Sequence, residues 1–489
     1  MEQREAYNWE IPQRQPLAGL GIVFLKTLLE ILKRVWPFLL LMLFREKEEE
    51  GMGKYELMAI AFASLTIIGS IVKFYFFRFY IFGEELIIKK GWLRKETIVI
   101  PLQKIQTVHI EQSALHQVLN IVKISIDTAG LSKTEVTIDA LSRPMAEALQ
   151  GRLQSSVTPD LQGAEEHTPT LPILTLGIKD LLKLSVSANH IEAFFILLSF
   201  TYGLYDSIKT ISGGLVDEAT GLFPRHSILL FAILCAVVLG ITILISTIRI
   251  FLKFYSFSVL RTPAGFYIKR GLTNVKEQLV PFGRIQFITW SANWIRKQMG
   301  LWLLEYKVAG GTDTKNKMKV EVPVTELHFI ESLVADYHTK PDLLSLNAVR
   351  IHPSYITRRI LVAGILPAVL LMGLTWYWWG TNALLLALIP VLVGLKAFVL
   401  QRKFRAFALA EVLYIDRSSY GSKMVLLKWH KLQTVTIEQS IYQRGRDLAT
   451  LRLHTASGTI VLPYVDLPAA RQFMNYALYK IESMSQPWM

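Results

Sequence analysis

Cysteine is almost absent from this chain of 489 residues, and the single one, Cys235, lies inside an apolar run. No intramolecular disulfide and no cysteine metal cluster can therefore form. The ten histidines are scattered: His109 and His116 stand seven apart, which fits neither the HExxH helix face nor a zinc-finger spacing. His109 falls in an alternating stretch and reads as a packed or exposed strand residue. Gly19-x-Gly21 lacks both a preceding strand and a third glycine. Ala309-Gly310-Gly311-Thr312 is not followed by the Gly-Lys-Ser/Thr of a phosphate-binding loop, and no Gly-x-Ser-x-Gly elbow occurs. These absences argue against an enzyme. No catalytic, cofactor or metal site is expected.

Charge is missing where the chain is most apolar. Ser227–Ile248 carries none, and Leu57–Ile71 and Ala383–Leu395 are similar runs. A helix needs about 20 apolar residues to cross a bilayer. Hydrophobic residues make up 52% of the chain and charged residues 19%, with a mean hydropathy of +0.34. That mixture suits membrane helices alternating with polar domains. The net charge of +14 fits the basic bias of short cytoplasmic segments, and equally an attraction to anionic lipid heads. Nucleic acid is not expected, because the basic residues cluster beside the apolar runs.

The chain contains one stretch three times. The first copy opens Arg78-Phe79-Tyr80-Ile81-Phe82, passes Ile100-Pro101 and Lys104-Ile105-Gln106, reaches Ser113 and ends before Gly130. The second runs Lys253-Phe254-Tyr255-Ser256-Phe257, Val280-Pro281, Arg284-Ile285-Gln286, Ser291 and Gly310. The third runs Lys403-Phe404-Arg405-Ala406-Phe407, Lys431-Leu432-Gln433, Ser440 and Gly458. From opening to Gln motif the spacings are 27, 32 and 29 residues, which reads as short insertions. An apolar run precedes each copy, so the repeated unit is a membrane hairpin feeding a small polar domain.

The expected order is a hairpin at 17–77, a polar domain at 78–155 and a linker at 156–184. A second hairpin (185–252) and domain (253–340) follow, then a third hairpin (355–400) and domain (401–485). Leu17–Phe44 reads as an interfacial helix bending into a short span. Ile191–Tyr205 and Ser227–Ile248 form the second hairpin around the loop Asp206–His226. Ile360–Trp379 and Ala383–Leu395, split only by Gly380-Thr381-Asn382, must run antiparallel. The basic exits Lys73, Arg249 and Lys396 put both termini and all three domains in the cytoplasm. Within the first domain, runs such as Val122-Lys123-Ile124-Ser125-Ile126-Asp127 alternate as half-buried strands do. Ser142-Arg143-Pro144 starts a closing helix with Met145, Leu149 and Leu153 on one face.

Strands closed by a helix, an upstream hairpin and the motif Pro-x-x-Lys/Arg-Ile-Gln resemble the bacterial pleckstrin-homology-like (PH-like) domain of the second type. Pro101, Lys104, Ile105 and Gln106, with Pro281, Arg284, Ile285 and Gln286, carry the resemblance; the third copy departs at Lys428 and Leu432. Three such domains on six helices are similar to YdbT-type membrane proteins of Gram-positive bacteria. The resemblance implies a multi-pass helical membrane protein bearing three β-rich domains, each a small barrel or sandwich plus a C-terminal helix, and no catalysis. It also implies a smaller membrane protein with the same domain as partner, and a link to cell-envelope stress or antimicrobial resistance.

Three functions follow as expectations. The first is a cytoplasmic scaffold whose domains bind one another or that partner, with a homo-oligomer as one form. The second is binding of anionic lipid heads by Lys89, Lys90, Arg94 and Lys95 in the first copy and Lys269, Arg270 and Lys276 in the second, with Asp416, Arg417 and Lys423 a poorer set. The third is transport through the six helices, disfavoured because Pro367 and Pro390 have no counterpart in Ser227–Ile248. The motif residues, including Lys431, Leu432 and Gln433, read as fold residues.

Overall fold

The computed structural model describes residues 7–43, 54–128, 135–155, 172–188, 190, 193–201, 228–263, 265–309, 319–324, 326–335, 337 and 348–483. The loop Asp206–His226 and the turn glycines Gly130 and Gly310 lie outside the described residues, as does most of the predicted linker. The chain divides into two compact units. One holds Met1–Thr175 and Ser256–Pro281; the other holds Leu176–Tyr255, Phe282–Ala309 and Met318–Met489. The second repeat is thus split between units at Pro281/Phe282.

Every copy has the same six strands. In the first they are β1 (Arg78–Phe82), β2 (Glu85–Lys90), β3 (Glu96–Pro101), β4 (Ile105–Ser113), β5 (Ile121–Thr128) and β6 (Glu135–Ser142). A two-residue strand, β7 (Leu174–Thr175), precedes the second copy. That copy comprises β8 (Ser258–Thr262), β9 (Gly265–Arg270), β10 (Asn274–Pro281), β11 (Ile285–Ala292), β12 (Trp302–Val308) and β13 (Lys319–Val324). The third comprises β14 (Arg405–Ala408), β15 (Val412–Asp416), β16 (Ser422–Lys428), β17 (Leu432–Glu438), β18 (Leu448–Thr455) and β19 (Gly458–Asp466).

This alignment corrects the spacing read from sequence. First strands begin at Arg78, Ser258 and Arg405 and fourth strands at Ile105, Ile285 and Leu432, so the interval is 27 residues in every copy. Lys253 and Lys403 belong instead to helix ends, whose basic, aromatic composition imitates the strand opening. A second correction concerns Ser291. The residue equivalent to Ser113 and Ser440 is Asn293, and each of the three holds the N-cap position of a short helix: α3 (Ala114–Val118), α7 (Trp294–Gln298) and α12 (Ile441–Arg444). The side chains of Asn293 and Ser440 accept a capping hydrogen bond, and that of Ser113 meets His116 instead. Ser and Asn serve alike as N-caps, so residue identity hid the equivalence. The turn after each short helix places Asn120, Gly300 and Asp447 at φ of 49°, 69° and 50°. These are the residue types that tolerate left-handed backbone.

In the first copy, Phe79, Leu86, Ile88 and Ile100 from the first three strands face Ile105, Val108, Ile124, Ile126 and Ile138 from the last three. Helix α4 (Arg143–Ser155) closes the sandwich with Met145, Leu149 and Leu153, as its spacing predicts. The third copy repeats this with α13 (Leu467–Ser483), whose Phe473 and Ala477 join a fully buried Trp429 in one core. Helix α8 (Leu327–Ala335) follows β13 in the second copy.

The helices upstream of the domains are α1 (Ala18–Leu43), α2 (Lys54–Tyr75), α5 (Ile178–Val186), α6 (Ile228–Phe254), α9 (Ser354–Arg359), α10 (Leu366–Trp379) and α11 (Leu388–Lys403). Among the described residues three helical stretches are long and apolar enough to cross a membrane: Cys235–Phe254, Ser354–Tyr377 and Ala383–Lys403. Ser64–Tyr75 is apolar but shorter, and residues 193–201 are helical. Helix α1 runs without a break in its helical backbone from Ala18 to Leu43. The presumed linker 156–184 holds β7 and most of α5, an amphipathic helix whose Leu181 and Leu184 are buried. In the third hairpin α9 passes through a π-helical turn, Ile360–Ile365, into α10. Pro367 explains that widening, since it has no N–H to continue the α-ladder. The two arms meet where Gly364 lies against Pro390; a Cβ on Gly364 would sit 2.7 Å from the Pro390 Cα.

The segment before each helix group covers one sheet edge. Gln13 bridges to Phe79, Leu174 pairs with Val259, and Val349 bridges to Ala406, the same position in all three copies. First-strand edges are therefore occupied by the chain itself.

Candidate functional site: strand junctions between repeats

Neighbouring copies share sheets. A seven-stranded sheet runs β6-β5-β4-β10-β9-β8-β7, and a six-stranded sheet runs β13-β12-β11-β16-β15-β14. Each joins the fourth strand of one copy to the third strand of the next. The sheets β1-β2-β3 and β17-β18-β19 contain only their own copy's strands. Each junction lies wholly within one compact unit.

The sequence motif is the corner that makes this possible. Pro101 and Pro281 end third strands, Leu102–Lys104 and Phe282–Arg284 form a 3-10 turn, and Ile105 and Ile285 begin fourth strands, 1% and 0% exposed. In the third copy Lys428, Trp429–Lys431 and Leu432 do the same, with Leu432 at 2%. Proline suits a strand end because it has no N–H for the ladder. Gln286 is fully buried whereas Gln433 is exposed, and Lys104 is exposed whereas Lys431 is buried. The motif therefore fixes a turn, and its polar members take different surroundings.

The two junctions have one register. In the first, Asn274 pairs with Ser113, Lys276 with Glu111 and Gln278 with His109. In the second, Ser291 pairs with Lys423, Thr289 with Val425 and Phe287 with Leu427. Glu111 and Ser291 are equivalent, as are Lys276 and Lys423, so the match is residue for residue.

Their side chains differ. At the first junction Glu111 pairs with Lys276, and Lys123 stands 3.5 Å away. Burial alone would raise the Glu111 carboxyl, but the two lysines hold it below the ordinary range. Glu277, 4% exposed, accepts from the Tyr267 hydroxyl at 2.7 Å, from Arg143 at 3.0 Å and from Lys269 at 3.0 Å. Desolvation pushes its carboxyl up, and these three donors pull it down further. His109 lies 3.1 Å from Asp127, which also accepts from the Thr107 hydroxyl at 2.9 Å.

The second junction is mostly apolar, with Phe287, Ile288, Val425, Leu426 and Leu427 all buried. Its ladder is extended by one buried side chain. The Tyr337 hydroxyl donates to the Gln286 carbonyl at 3.1 Å and accepts from the Lys428 N–H at 3.3 Å, and the Lys428 ammonium lies 4.5 Å from its ring centre. Lys431 donates to the Gly283 carbonyl at 2.7 Å, and burial lowers its amine to about 8.

The basic sets read from sequence separate here. Lys269 and Lys276 are tied to Glu277 and Glu111 inside the first junction. In the first copy Lys90 stands 3.5 Å from Glu96, Lys89 lies 5.2 Å from the Tyr80 ring centre, and Arg94 and Lys95 are exposed. That turn also exposes Trp92 and Leu93, at 59% and 90%. In the third copy Asp416 accepts from the Ser418 N–H, and burial lowers the Arg417 guanidinium. Among the described residues no three His, Cys, Asp or Glu converge as a metal ion would need. Sequence reasoning missed the junctions, because alternation shows which face is buried and not which strand lies alongside.

A sequence profile described as "Bacterial PH domain" matches residues 26–157, 210–338 and 343–481. The chain is also similar to the UPF0699 transmembrane protein YdbT of Bacillus subtilis (strain 168), 22% identical over 416 residues that cover 80% of this chain and 82% of the relative. The expected threefold PH-like repeat on a membrane protein is thus met, and the chain belongs to the bacterial PH domain family.

Proposed function

We propose that this protein is a non-enzymatic, membrane-anchored scaffold whose PH-like domains assemble proteins at the cytoplasmic membrane. The observation that carries this reading is that the domains already bind one another by strand addition, twice and in one register. Strand addition gives affinity through main-chain hydrogen bonds and specificity through side chains. Anchoring then raises the effective concentration of neighbours. In this reading six helices cross the bilayer and both termini face the cytoplasm; Lys73, Lys253, Arg402 and Lys403 at helix ends support that orientation. The partner is a smaller membrane protein with the same domain, and the setting is cell-envelope stress or antimicrobial resistance. Affinity purification of the tagged, detergent-solubilised protein from its native cells tests this. Stoichiometric recovery of another protein bearing the domain supports it; recovery of this chain alone with abundant lipid argues against it.

A second reading rests on the first copy's β2–β3 turn. Exposed Trp92 and Leu93 beside Lys89, Lys90, Arg94 and Lys95 suit an anionic lipid surface, each charge contributing about 1 kcal/mol there. Reversing the four charges to Glu should abolish salt-sensitive binding to phosphatidylglycerol liposomes. Unchanged binding sinks this reading.

A further inference from the structure

The junction rule leaves two strands unmatched. Third strands β10 and β16 each pair with the preceding copy's fourth strand, whereas β3 is an edge strand of its own three-stranded sheet; fourth strands β4 and β11 each pair with the next copy's third strand, whereas β17 is likewise an edge. Among the described residues neither open edge has a strand beside it. Exposure follows this pattern. Gln433 and Thr434 on β17 are exposed, and their equivalents Gln286 and Phe287 on β11 are 0% and 8% exposed. Thr97 and Val99 on β3 are exposed, and their equivalents include Glu277 at 4% and Leu426 at 2%.

We propose that β17 of one chain takes β3 of a second copy of the same chain as its next strand, head to tail, in the register of the internal junctions. This rests on the assembly reading above and names its geometry. The two edges are the equivalents of the two halves of an interface the chain builds twice within itself, so the contact repeats an established one. Applying that register puts Val435 opposite Val99 and Ile437 opposite Thr97, the β-branched pairs that stabilise sheets. It also sets Glu438 opposite Glu96, where the first internal junction has Glu111 opposite Lys276. Each of these glutamates has a cation on its own hairpin, Arg452 at 2.7 Å and Lys90 at 3.5 Å. The like-charge pair weakens docking by about fivefold at most. The external junction is therefore the weaker, reversible member of the series, and charge on an edge strand is how runaway pairing is restrained. Such a heterologous contact builds rings or open rows of chains.

The test uses two differently tagged full-length chains, both Cys235→Ala, co-expressed and oxidised in membranes. One carries Thr97→Cys and the other Ile437→Cys. A cross-linked heterodimer on a non-reducing gel is expected, about tenfold above Thr97→Cys with the out-of-register Thr434→Cys. Adding Glu96→Lys should raise the yield about fivefold by replacing repulsion with attraction. Absence of the cross-link even with Glu96→Lys, or equal yield in and out of register, overturns the proposal. If another PH-like protein is still recovered stoichiometrically, only the head-to-tail geometry falls; if nothing is recovered, the assembly reading falls with it.

Discussion

The two internal junctions share a backbone and differ in almost every side chain. At β4–β10 the pairing is laced with charge: Glu111 with Lys276, and Glu277 with Tyr267, Lys269 and Arg143. At β11–β16 it is held by Phe287, Ile288, Leu426 and Leu427, with Tyr337 bridging two main chains. Identical register with unlike chemistry shows that the corner motif and strand length set the geometry, while side chains set its strength and sensitivity. A charged junction responds to acid; an apolar one does not.

The largest effect is expected from breaking a ladder. Leu426→Pro removes a backbone donor from β16, a strand paired on both sides, and should cost about 3 kcal/mol or more in thermal unfolding of the purified protein. Phe287→Ala empties part of the apolar junction and should cost about 3 kcal/mol at any pH. Glu277→Ala should cost about 2–3 kcal/mol near neutrality, because three donors lose their shared carboxylate. That cost should shrink in acid. The folded state holds Glu277 and Glu111 below their ordinary pKa of 4.5, so the stability they contribute is complete above that pH and is lost as pH falls through the folded values. The Phe287→Ala deficit should not follow this profile; parallel acid profiles for both variants would erase the distinction between the junctions.

The smallest effect is expected at Lys431. Folding lowers its amine from 10.5 to about 8, so between those pH values the unfolded chain binds more protons and stability rises with pH. Lys431→Met should lie within about 1 kcal/mol of wild type near neutrality, a lost hydrogen bond offsetting a relieved buried charge. It should also flatten that alkaline rise.

Much of the domain was legible in the sequence. The corner residues Ile105, Ile285 and Leu432 stand out because a buried strand start tolerates little variation, and α4 announced itself through Ser142, Pro144 and a 3.6-residue apolar stripe. What stayed hidden depended on equivalent chemistry or distant partners. Ser113, Asn293 and Ser440 fill one N-cap position with two residue types, and Asn120, Gly300 and Asp447 share one backbone conformation with no common side chain. The covers at Gln13, Leu174 and Val349 are too short to show periodicity. The junctions left a faint trace: β11 is buried on both faces at its start, whereas β17, its equivalent, keeps Gln433, Thr434 and Glu438 in solvent.

The central claim is that consecutive repeats are stitched by fourth-to-third strand pairing in one register. Two full-length Cys235→Ala proteins test it, one with Gln112→Cys and Val275→Cys, the other with Ser291→Cys and Lys423→Cys. Both pairs lie directly opposite across their junctions. Intramolecular disulfides should form in both proteins under mild oxidation, and shifting either partner by two residues should suppress them. Free thiols in both matched proteins, or equal bonding in the shifted ones, would contradict the account.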